Sequence, residues 1–117
     1  MKILIADDQP EVRSAIRILL EQNNASYLFE EVNDINYLVQ RCGDIKPDVI
    51  LLDWELSDQS MVTVIPVLRQ LAPNIRIIAM SGRPEAEKAA FYAGADVFVS
   101  KGDNSDKLLH AIHGMES

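Results

Sequence analysis

The sequence lacks several features that common protein functions need. Its one cysteine, Cys42, excludes a disulfide within the chain and a zinc site built on several thiolates. The five glycines stand far apart and form neither a dinucleotide-binding fingerprint nor a phosphate loop. The apolar run after Met1 stops at Asp7, too early for a signal peptide, and no run reaches the length of a membrane span. We therefore expect a cytoplasmic protein that makes no membrane contact.

Basic residues are also scarce. With 11 Lys and Arg against 18 Asp and Glu, the formal net charge is -7, which argues against direct nucleic-acid binding. This charge suits a cation site or a basic partner. The length of 117 residues and the hydrophobic fraction of 48% are typical of one globular domain with a real core. We predict a single domain over residues 1–117.

Short apolar runs alternate with segments of helical periodicity. We interpret five runs as strands: Ile3–Ala6, Tyr27–Val32, Val49–Leu52, Ile75–Met80 and Val97–Val99. Apolar runs without alternation are typical of strands that are covered on both faces. Strict strand–helix alternation predicts an α/β fold in which a parallel sheet carries helices on both sides.

Five helices are predicted. Pro10 suits the first turn of the first helix, whose apolar residues recur at helical spacing: Val12, Ala15, Ile16, Leu19 and Leu20. The second begins near Ile35, with Gly43 as its C-terminal cap. The third spans residues 62–71, where Pro66 should kink the first turns or delay the start. The fourth (85–92) stops at Gly94, and the fifth (105–113) turns three apolar residues inward: Leu108, Leu109 and Ile112.

Polar residues follow the ends of four strands. Asp7 and Asp8 follow the first, Asp53 the third and Ser81 the fourth, while Lys101 comes just after the fifth. In open parallel sheets, ligands bind beyond these carboxyl ends. Two carboxylates ~4 Å apart repel by about 4 kcal/mol at an effective dielectric near 20, so three together need a cation or must take up protons. Mg²⁺ is the natural cation, because it leaves room for phosphate oxygens.

Each of these residues has a simpler structural interpretation. Asp8 could begin a helix, Asp53 could be a turn residue and Ser81 a cap or turn hydroxyl, and Lys101 could be a surface lysine. Any one of them alone would favour that interpretation. Together they favour a functional site, because chance would have to place all five on one sheet edge with charges that neutralise one another.

The sequence resembles the response-regulator receiver family of two-component signalling over essentially its full length. The matching segments are residues 3–8, 49–54, 77–82 and 93–103. The resemblance implies a flavodoxin-like (CheY-like) doubly wound sheet in the strand order 2-1-3-4-5, with five helices. Residues 99–103 are most similar to receivers joined to a LuxR-type DNA-binding domain. Whether the chain is a stand-alone regulator or an excised receiver stays open.

The resemblance also implies the chemistry of the acidic residues. Asp53 would accept a phosphoryl group from a sensor histidine kinase or a histidine phosphotransfer protein. Mg²⁺ would be held directly by Asp8, mainly through water by Asp7, by Asp53 itself and by the main-chain carbonyl of Glu55. The protein would assist its own phosphorylation and dephosphorylation without turning over a separate substrate.

Three further residues are implied in the response. Ser81 would hydrogen-bond the phosphoryl group, Lys101 would pair with it, and Phe98 would move inward on activation. The output surface would comprise the fourth helix, fifth strand and fifth helix, which could also form a homodimer. The donor would dock near three residues of the first helix and the loop after Lys101; these three are Pro10, Glu11 and Ser14.

Three positions depart from the family pattern, and they lie in two loops of the expected site. Ser57 replaces a common proline, Met61 replaces a usual glycine, and Gly102 stands where most receivers have a proline after a cis peptide bond. These departures keep open a receiver-like module that binds partners without being phosphorylated.

A second alternative is a haloacid-dehalogenase-like phosphohydrolase. It also places an Asp nucleophile and Mg²⁺ after an apolar strand, as Asp53 and Glu55 superficially suggest. That family, however, needs a second Asp two residues on, carries its nucleophile on the first strand, and usually has a longer chain. Cys42 is interpreted as a core residue, and His110 and His113 as helix-terminus residues that lack further metal ligands.

Overall fold

The structure, a computed structural model, describes residues 1–57 and 60–115. Within these residues, five strands alternate with five α-helices. The strands are β1 (Lys2–Ala6), β2 (Leu28–Val32), β3 (Val49–Asp53), β4 (Arg76–Ser81) and β5 (Val97–Ser100). The helices are α1 (Pro10–Asn23), α2 (Ile35–Ile45), α3 (Met61–Leu71), α4 (Glu87–Ala93) and α5 (Ser105–His113). A short 3-10 helix, Pro84–Ala86, leads into α4.

The strands form one parallel sheet in the order β2-β1-β3-β4-β5. The predicted α/β fold with the order 2-1-3-4-5 is therefore confirmed. Because β1 lies between β2 and β3, the strand order reverses next to β1. In doubly wound sheets a ligand binds at the carboxyl ends of the strands at this reversal. Asp7 follows β1 and Asp53 ends β3, so both lie at that position.

Two apolar clusters cover the two faces of the sheet. Successive strand residues point to opposite sides, so Ile50 joins one cluster and Leu51 the other. The first cluster contains buried residues of α2, α3 and α4, and the second contains those of α1 and α5. All five residues of β3 are buried, as predicted for a strand covered on both faces. In the described part of the chain, every helix is too short or too polar for a transmembrane segment.

The buried faces of α1 and α5 in the structure are narrower than the sequence predicted. In α1, Ile16 and Leu20 are buried, whereas Ala15 at the margin of the apolar stripe is exposed. In α5, Leu108 and Ile112 are buried, and Leu109 is half-buried.

The predicted end of α2 is wrong. Gly43 lies inside the helix, which continues to Ile45. Lys46 caps it in the left-handed conformation, with φ 47°, and its N–H donates to the carbonyl of Cys42. The helix stops there because Pro47 disfavours helical geometry in the residue before it.

Proline also affects α3 and the start of α4. Of the two effects expected of Pro66, a delayed start of α3 is wrong: the helix begins at Met61, where the Ser60 side chain accepts a hydrogen bond from the N–H of Val62. Pro66 is exposed and therefore does not disturb the packed face. Pro84 opens the 3-10 turn ahead of α4. Gly94 ends α4 with φ 110°, as predicted.

Candidate functional site

The strand ends bring the predicted polar residues to one edge of the sheet. The N–H of Asp7 donates to the carbonyl of Val32 at 3.1 Å, so the chain stays ordered just beyond β1. Asp53 and Ser81 are the last residues of neighbouring parallel strands. The N–H of Lys101 donates to the carbonyl of Ser81 at 2.8 Å, which ties the residue after β5 to the end of β4.

Three carboxylates cluster at this edge. Asp7, Asp8 and Asp53 each offer one oxygen, and these atoms lie within 4.8 Å of one another. Asp7 and Asp53 are only 2% and 4% exposed, whereas Asp8 is exposed. The cluster is therefore buried on one side and open to solvent at Asp8. Oxygen ligands with one open side fit a hard divalent cation that keeps several waters.

Lys101 provides the positive charge nearest to this cluster. Its Nζ lies 2.8 Å from Oδ2 of Asp7 and 3.2 Å from Oδ1 of Asp53. Burial lowers the pKa of the Lys101 ammonium, but its hydrogen bond to Asp7 and the charges of both carboxylates outweigh burial and raise it. Lys101 therefore stays charged and leaves the three carboxylates partly uncompensated.

The surroundings of Asp53 disfavour the ionised form of its carboxyl group. Burial raises the pKa of this carboxyl group, and the charge of Asp7 raises it further. The N–H of Glu55, which donates to Oδ1 at 3.1 Å, and the Lys101 ammonium act in the opposite direction. The net pKa lies above the ordinary value of 3.8. A cation next to Asp53 would therefore favour the carboxylate form.

Arg13 supports the Asp7 segment, a role that the sequence did not suggest. Its Nη1 donates to the main-chain carbonyl of Asp7 at 2.7 Å, and its Nε donates to Glu31 at 3.0 Å. The N–H of Gln9 donates to Oδ1 of Asp7 at 2.9 Å. Asp7 and Arg13 are six residues apart in the sequence, outside the i,i+3 and i,i+4 spacings of helix neighbours, so no local pattern could have indicated this contact.

Ser81 is fully buried, and its hydroxyl bonds to groups other than Asp53. Its Oγ lies 2.8 Å and 3.0 Å from the two carboxylate oxygens of Glu55, and it accepts from the N–H of Arg83 at 3.0 Å. The guanidinium of Arg83 lies 3.4 Å from Glu55. The family resemblance implied that Glu55 holds the metal through its main-chain carbonyl, and it gave no sign that the Glu55 side chain reaches Ser81.

The other predicted residues lie where their elements place them. Phe98 is half-buried on β5 and packs on the same cluster as the half-buried Trp54. His110 and His113 are exposed on α5. Among the described residues, the acidic cluster is the only group of three or more potential metal ligands. Cys42 is buried, and burial raises the pKa of its thiol.

The structure describes the three positions that depart from the family pattern, but not the whole of the first loop. Ser57 is half-buried and Met61 is buried at the first position of α3. Residues 58 and 59 between them lie outside the described residues. The peptide bond between Lys101 and Gly102 is trans, as are all peptide bonds of the described residues.

Comparison with known proteins gives one family. The model of the response regulator receiver domain matches residues 3–113. The DNA-binding transcriptional activator EvgA of Escherichia coli K12 is 30% identical over 119 residues, covering 100% of this chain and 58% of EvgA. The chain spans 53% of another curated relative, the Fimbriae Z protein of the same organism, to which it is 25% identical over 94% of its own length. The chain thus covers little more than half of the curated relatives it matches.

Solved structures agree on the fold. A LuxR-family two-component response regulator from Aurantimonas sp. SI85-9A1 is 26% identical, with a TM-score of 0.85 over 97% of this chain and 83% of that one. A response regulator from Burkholderia pseudomallei, solved with a phosphorylated aspartic acid and a calcium ion, has a TM-score of 0.80 at 24% identity. That match covers 94% of this chain and 65% of the other.

Proposed function

This chain belongs to the response regulator receiver family of two-component signalling, and we propose that Asp53 is its phosphoacceptor. The observation that carries the proposal is the position of Asp53. It is a buried carboxylate at the end of β3, with Lys101 at 3.2 Å and two further carboxylates beside it. We propose this role for one receiver domain spanning residues 1–117, acting in the cytoplasm.

The donor is a phosphohistidine on a sensor histidine kinase or a histidine phosphotransfer protein. Oδ1 of Asp53 already accepts the N–H of Glu55 and pairs with Lys101, so Oδ2 is the attacking atom. Oδ2 forms a bond to phosphorus while the bond from phosphorus to the histidine nitrogen breaks. The product is an acyl phosphate on Asp53, which water later hydrolyses.

Phosphoryl transfer requires in-line positioning and neutralisation of charge on the transferred oxygens. Mg²⁺ held by Asp7, Asp8, Asp53 and the carbonyl of Glu55 would supply positive charge to those oxygens. Lys101 contributes its ammonium to the same oxygens, exchanging a carboxylate partner for the phosphoryl group. The protein assists these steps on its own side chain, and no separate substrate is turned over.

The proposed docking site of the donor is accessible. Pro10, Glu11 and Ser14 are exposed at the start of α1, and Gly102 and Asp103 are exposed just beyond Lys101. These two segments lie next to the carboxylate cluster, because Asp7 leads into α1 and Lys101 follows β5. A phosphohistidine presented there would face Asp53.

The response begins at Ser81 and passes to the surface formed by α4, β5 and α5. A phosphoryl group adds roughly -1.5 to -2 charge and three acceptor oxygens, which attract the Ser81 hydroxyl. Phe98 packs only part of its ring in the core and turns inward as Ser81 moves. This surface carries the exposed side chains of Phe91 and Tyr92 and provides contacts for output or for a homodimer. The domain itself makes no direct contact with nucleic acid.

Intact-mass measurement after incubation with acetyl phosphate tests this proposal. We expect a Mg²⁺-dependent gain of about one phosphoryl group in the natural sequence and in Asp44→Ala, which removes an exposed surface carboxylate. Asp53→Ala should show no gain. No gain in any of the three proteins would favour the binding module that works without phosphorylation.

A turnover assay with small phosphate esters addresses the phosphohydrolase alternative. Glu55 stands where that family needs its second Asp, and its carboxylate is bonded to Ser81. We expect no sustained release of phosphate. Steady multiple turnover that is lost in Asp53→Ala would contradict the receiver role.

A further inference from the structure

The hydroxyl of Ser81 is already committed in the unphosphorylated protein. A serine hydroxyl has one proton to donate, and the acceptor in reach is the Glu55 carboxylate, at 2.8 Å and 3.0 Å. Its oxygen accepts the N–H of Arg83 at 3.0 Å. Ser81 is fully buried, so water does not compete for the hydroxyl. Its single donor must leave Glu55 before it can reach a phosphoryl group on Asp53.

Glu55 is placed to compete with that phosphoryl group. Its N–H donates to Oδ1 of Asp53 at 3.1 Å, while its carboxylate reaches the end of the neighbouring strand β4. Both the carboxylate and a phosphoryl group offer anionic oxygens to the same hydroxyl. Hydrogen bonds to a charged acceptor are stronger than bonds between neutral groups, so the Glu55 carboxylate competes effectively with a phosphoryl group for the Ser81 hydroxyl.

Arg83 gives the carboxylate a second partner. Its guanidinium lies 3.4 Å from Oε2 of Glu55, and both side chains are substantially exposed at this point. When Glu55 releases Ser81, its charge can stay paired with Arg83 at the surface. Release therefore leaves no buried unpaired carboxylate, which would be costly.

We propose that Glu55, Ser81 and Arg83 form a latch in which the Glu55 carboxylate holds the Ser81 hydroxyl in its unphosphorylated position. This inference rests on the proposed function, because it concerns how that site is switched. A phosphoryl group on Asp53 opens the latch by competing with the Glu55 carboxylate for the hydroxyl. Glu55 thereby makes the phosphorylated conformation harder to reach, and its side chain acts as a positioning residue for Ser81.

A double-mutant cycle separates the hydrogen bond from simple charge repulsion. The probe is beryllofluoride with Mg²⁺, a stable substitute for a phosphoryl group, and binding is followed by the fluorescence of Trp54, the single tryptophan. Glu55→Ala should tighten binding about fivefold when Ser81 is present, the effect of about one hydrogen bond on an equilibrium. In the Ser81→Ala background, Glu55→Ala should leave the affinity nearly unchanged. Equal tightening in both backgrounds would overturn the latch.

Glu55→Asp gives a second test that does not depend on Ser81→Ala folding. Aspartate keeps the charge but is one methylene shorter, so it cannot hold the hydroxyl at the same distance. The latch requires Glu55→Asp to tighten binding, whereas an effect of charge alone would leave it at the natural value. Glu87→Ala, which removes an exposed carboxylate from the start of α4, should bind beryllofluoride as the natural protein does.

The same titrations distinguish the two proposals. Failure of the natural sequence to bind beryllofluoride with Mg²⁺ would overturn the proposed function and the latch with it. Normal binding by the natural sequence, together with unchanged affinity in Glu55→Ala and Glu55→Asp, would overturn the latch alone.

Discussion

At the scale of single residues, Asp53 shows how a reactive position lowers stability. Burial and the neighbouring Asp7 raise the pKa of its carboxyl group above 3.8. Between that ordinary value and the raised one, the folded state binds more protons than the unfolded state. Folding stability from Asp53 therefore falls as pH rises through this window, and the loss is complete above the raised pKa.

Asp53→Asn should remove this loss. In the absence of metal, we expect the variant to be more stable than the natural sequence at neutral pH, because it buries no carboxylate. The difference should shrink as pH falls and vanish below the ordinary carboxyl pKa. Urea unfolding in the presence of EDTA, at several values between about pH 3 and about pH 7, measures this. A variant that is less stable at neutral pH would contradict the setting described for Asp53.

Arg13 offers a second prediction at this scale. It bonds the carbonyl of Asp7 and pairs with Glu31, and its side chain is 17% exposed. Arg13→Ala should cost about 1–2 kcal/mol of unfolding free energy, because it removes charge-assisted hydrogen bonds from a half-buried place. It should also weaken Mg²⁺ binding severalfold, since the Asp7 segment loses its support.

Arg17→Ala is the matched control for Arg13. Arg17 also pairs with Glu31, but it is 44% exposed and makes no bond to Asp7. A Mg²⁺ titration followed by Trp54 fluorescence should show near-natural affinity for Arg17→Ala. If both variants bind Mg²⁺ equally well, Arg13 does not position the metal ligands.

At the scale of elements, two glycines that were both predicted to end a helix have different roles in the structure. Gly43 lies inside α2, where a Cβ would meet only the side chain of Leu71 at 3.5 Å, an ordinary contact. Gly94 ends α4 with φ 110°, and a Cβ there would lie 3.3 Å from Ile65. The difference arises because Pro47 decides where α2 ends, whereas Gly94 itself ends α4.

Alanine substitutions should therefore have opposite effects. Gly43→Ala should stabilise the protein by about 0.5–1 kcal/mol, because alanine favours a helix interior. Gly94→Ala should destabilise it by at least about 1 kcal/mol, since alanine is strained at positive φ. Chemical denaturation of both variants measures these changes. Loss of stability in Gly43→Ala would argue that α2 ends at Gly43 after all.

The elements also show what could be predicted from the sequence. Apolar runs and helical periodicity located all five strands and five helices, because burial on one or two faces leaves a local pattern. The strand order came from the family resemblance. The 3-10 turn before α4 and the end of α2 depend on single prolines, whose effect on a boundary is hard to weigh against a continuing apolar pattern.

The candidate site was also predictable in part. The sequence predicted that five polar residues lie together, because parallel strands place their carboxyl ends at one edge of the sheet; these are Asp7, Asp8, Asp53, Ser81 and Lys101. The side-chain contact between Glu55 and Ser81 spans 26 residues of sequence. The contact between Arg13 and Glu31 spans 18. Neither leaves a local pattern, because both depend on which strands become neighbours and on side-chain reach.

At the scale of the whole molecule, the acidic cluster couples metal binding to folding. Three carboxylates face a single lysine at this edge, and unfolding separates them. A cation that binds only the folded state adds stability, about 2.7 kcal/mol at a concentration one hundred times its dissociation constant. The global unfolding temperature should therefore respond to Mg²⁺ at this one site.

Thermal unfolding with Mg²⁺, against Na⁺ at matched ionic strength, measures this coupling. We expect Mg²⁺ to raise the unfolding temperature of the natural sequence by several degrees. Asp8→Asn should lose most of the increase and keep its metal-free stability, because Asp8 is exposed. An equal increase in Asp8→Asn would show that Mg²⁺ stabilises the protein elsewhere.

The most direct test of the phosphoacceptor assignment is chemical mapping of the modified residue. After incubation with acetyl phosphate and Mg²⁺, borohydride reduces an aspartyl phosphate to homoserine, which peptide mass spectrometry locates in the chain. We predict homoserine at position 53, dependent on both acetyl phosphate and Mg²⁺. Homoserine at position 7 or 8, with Asp53 unmodified, would contradict the account.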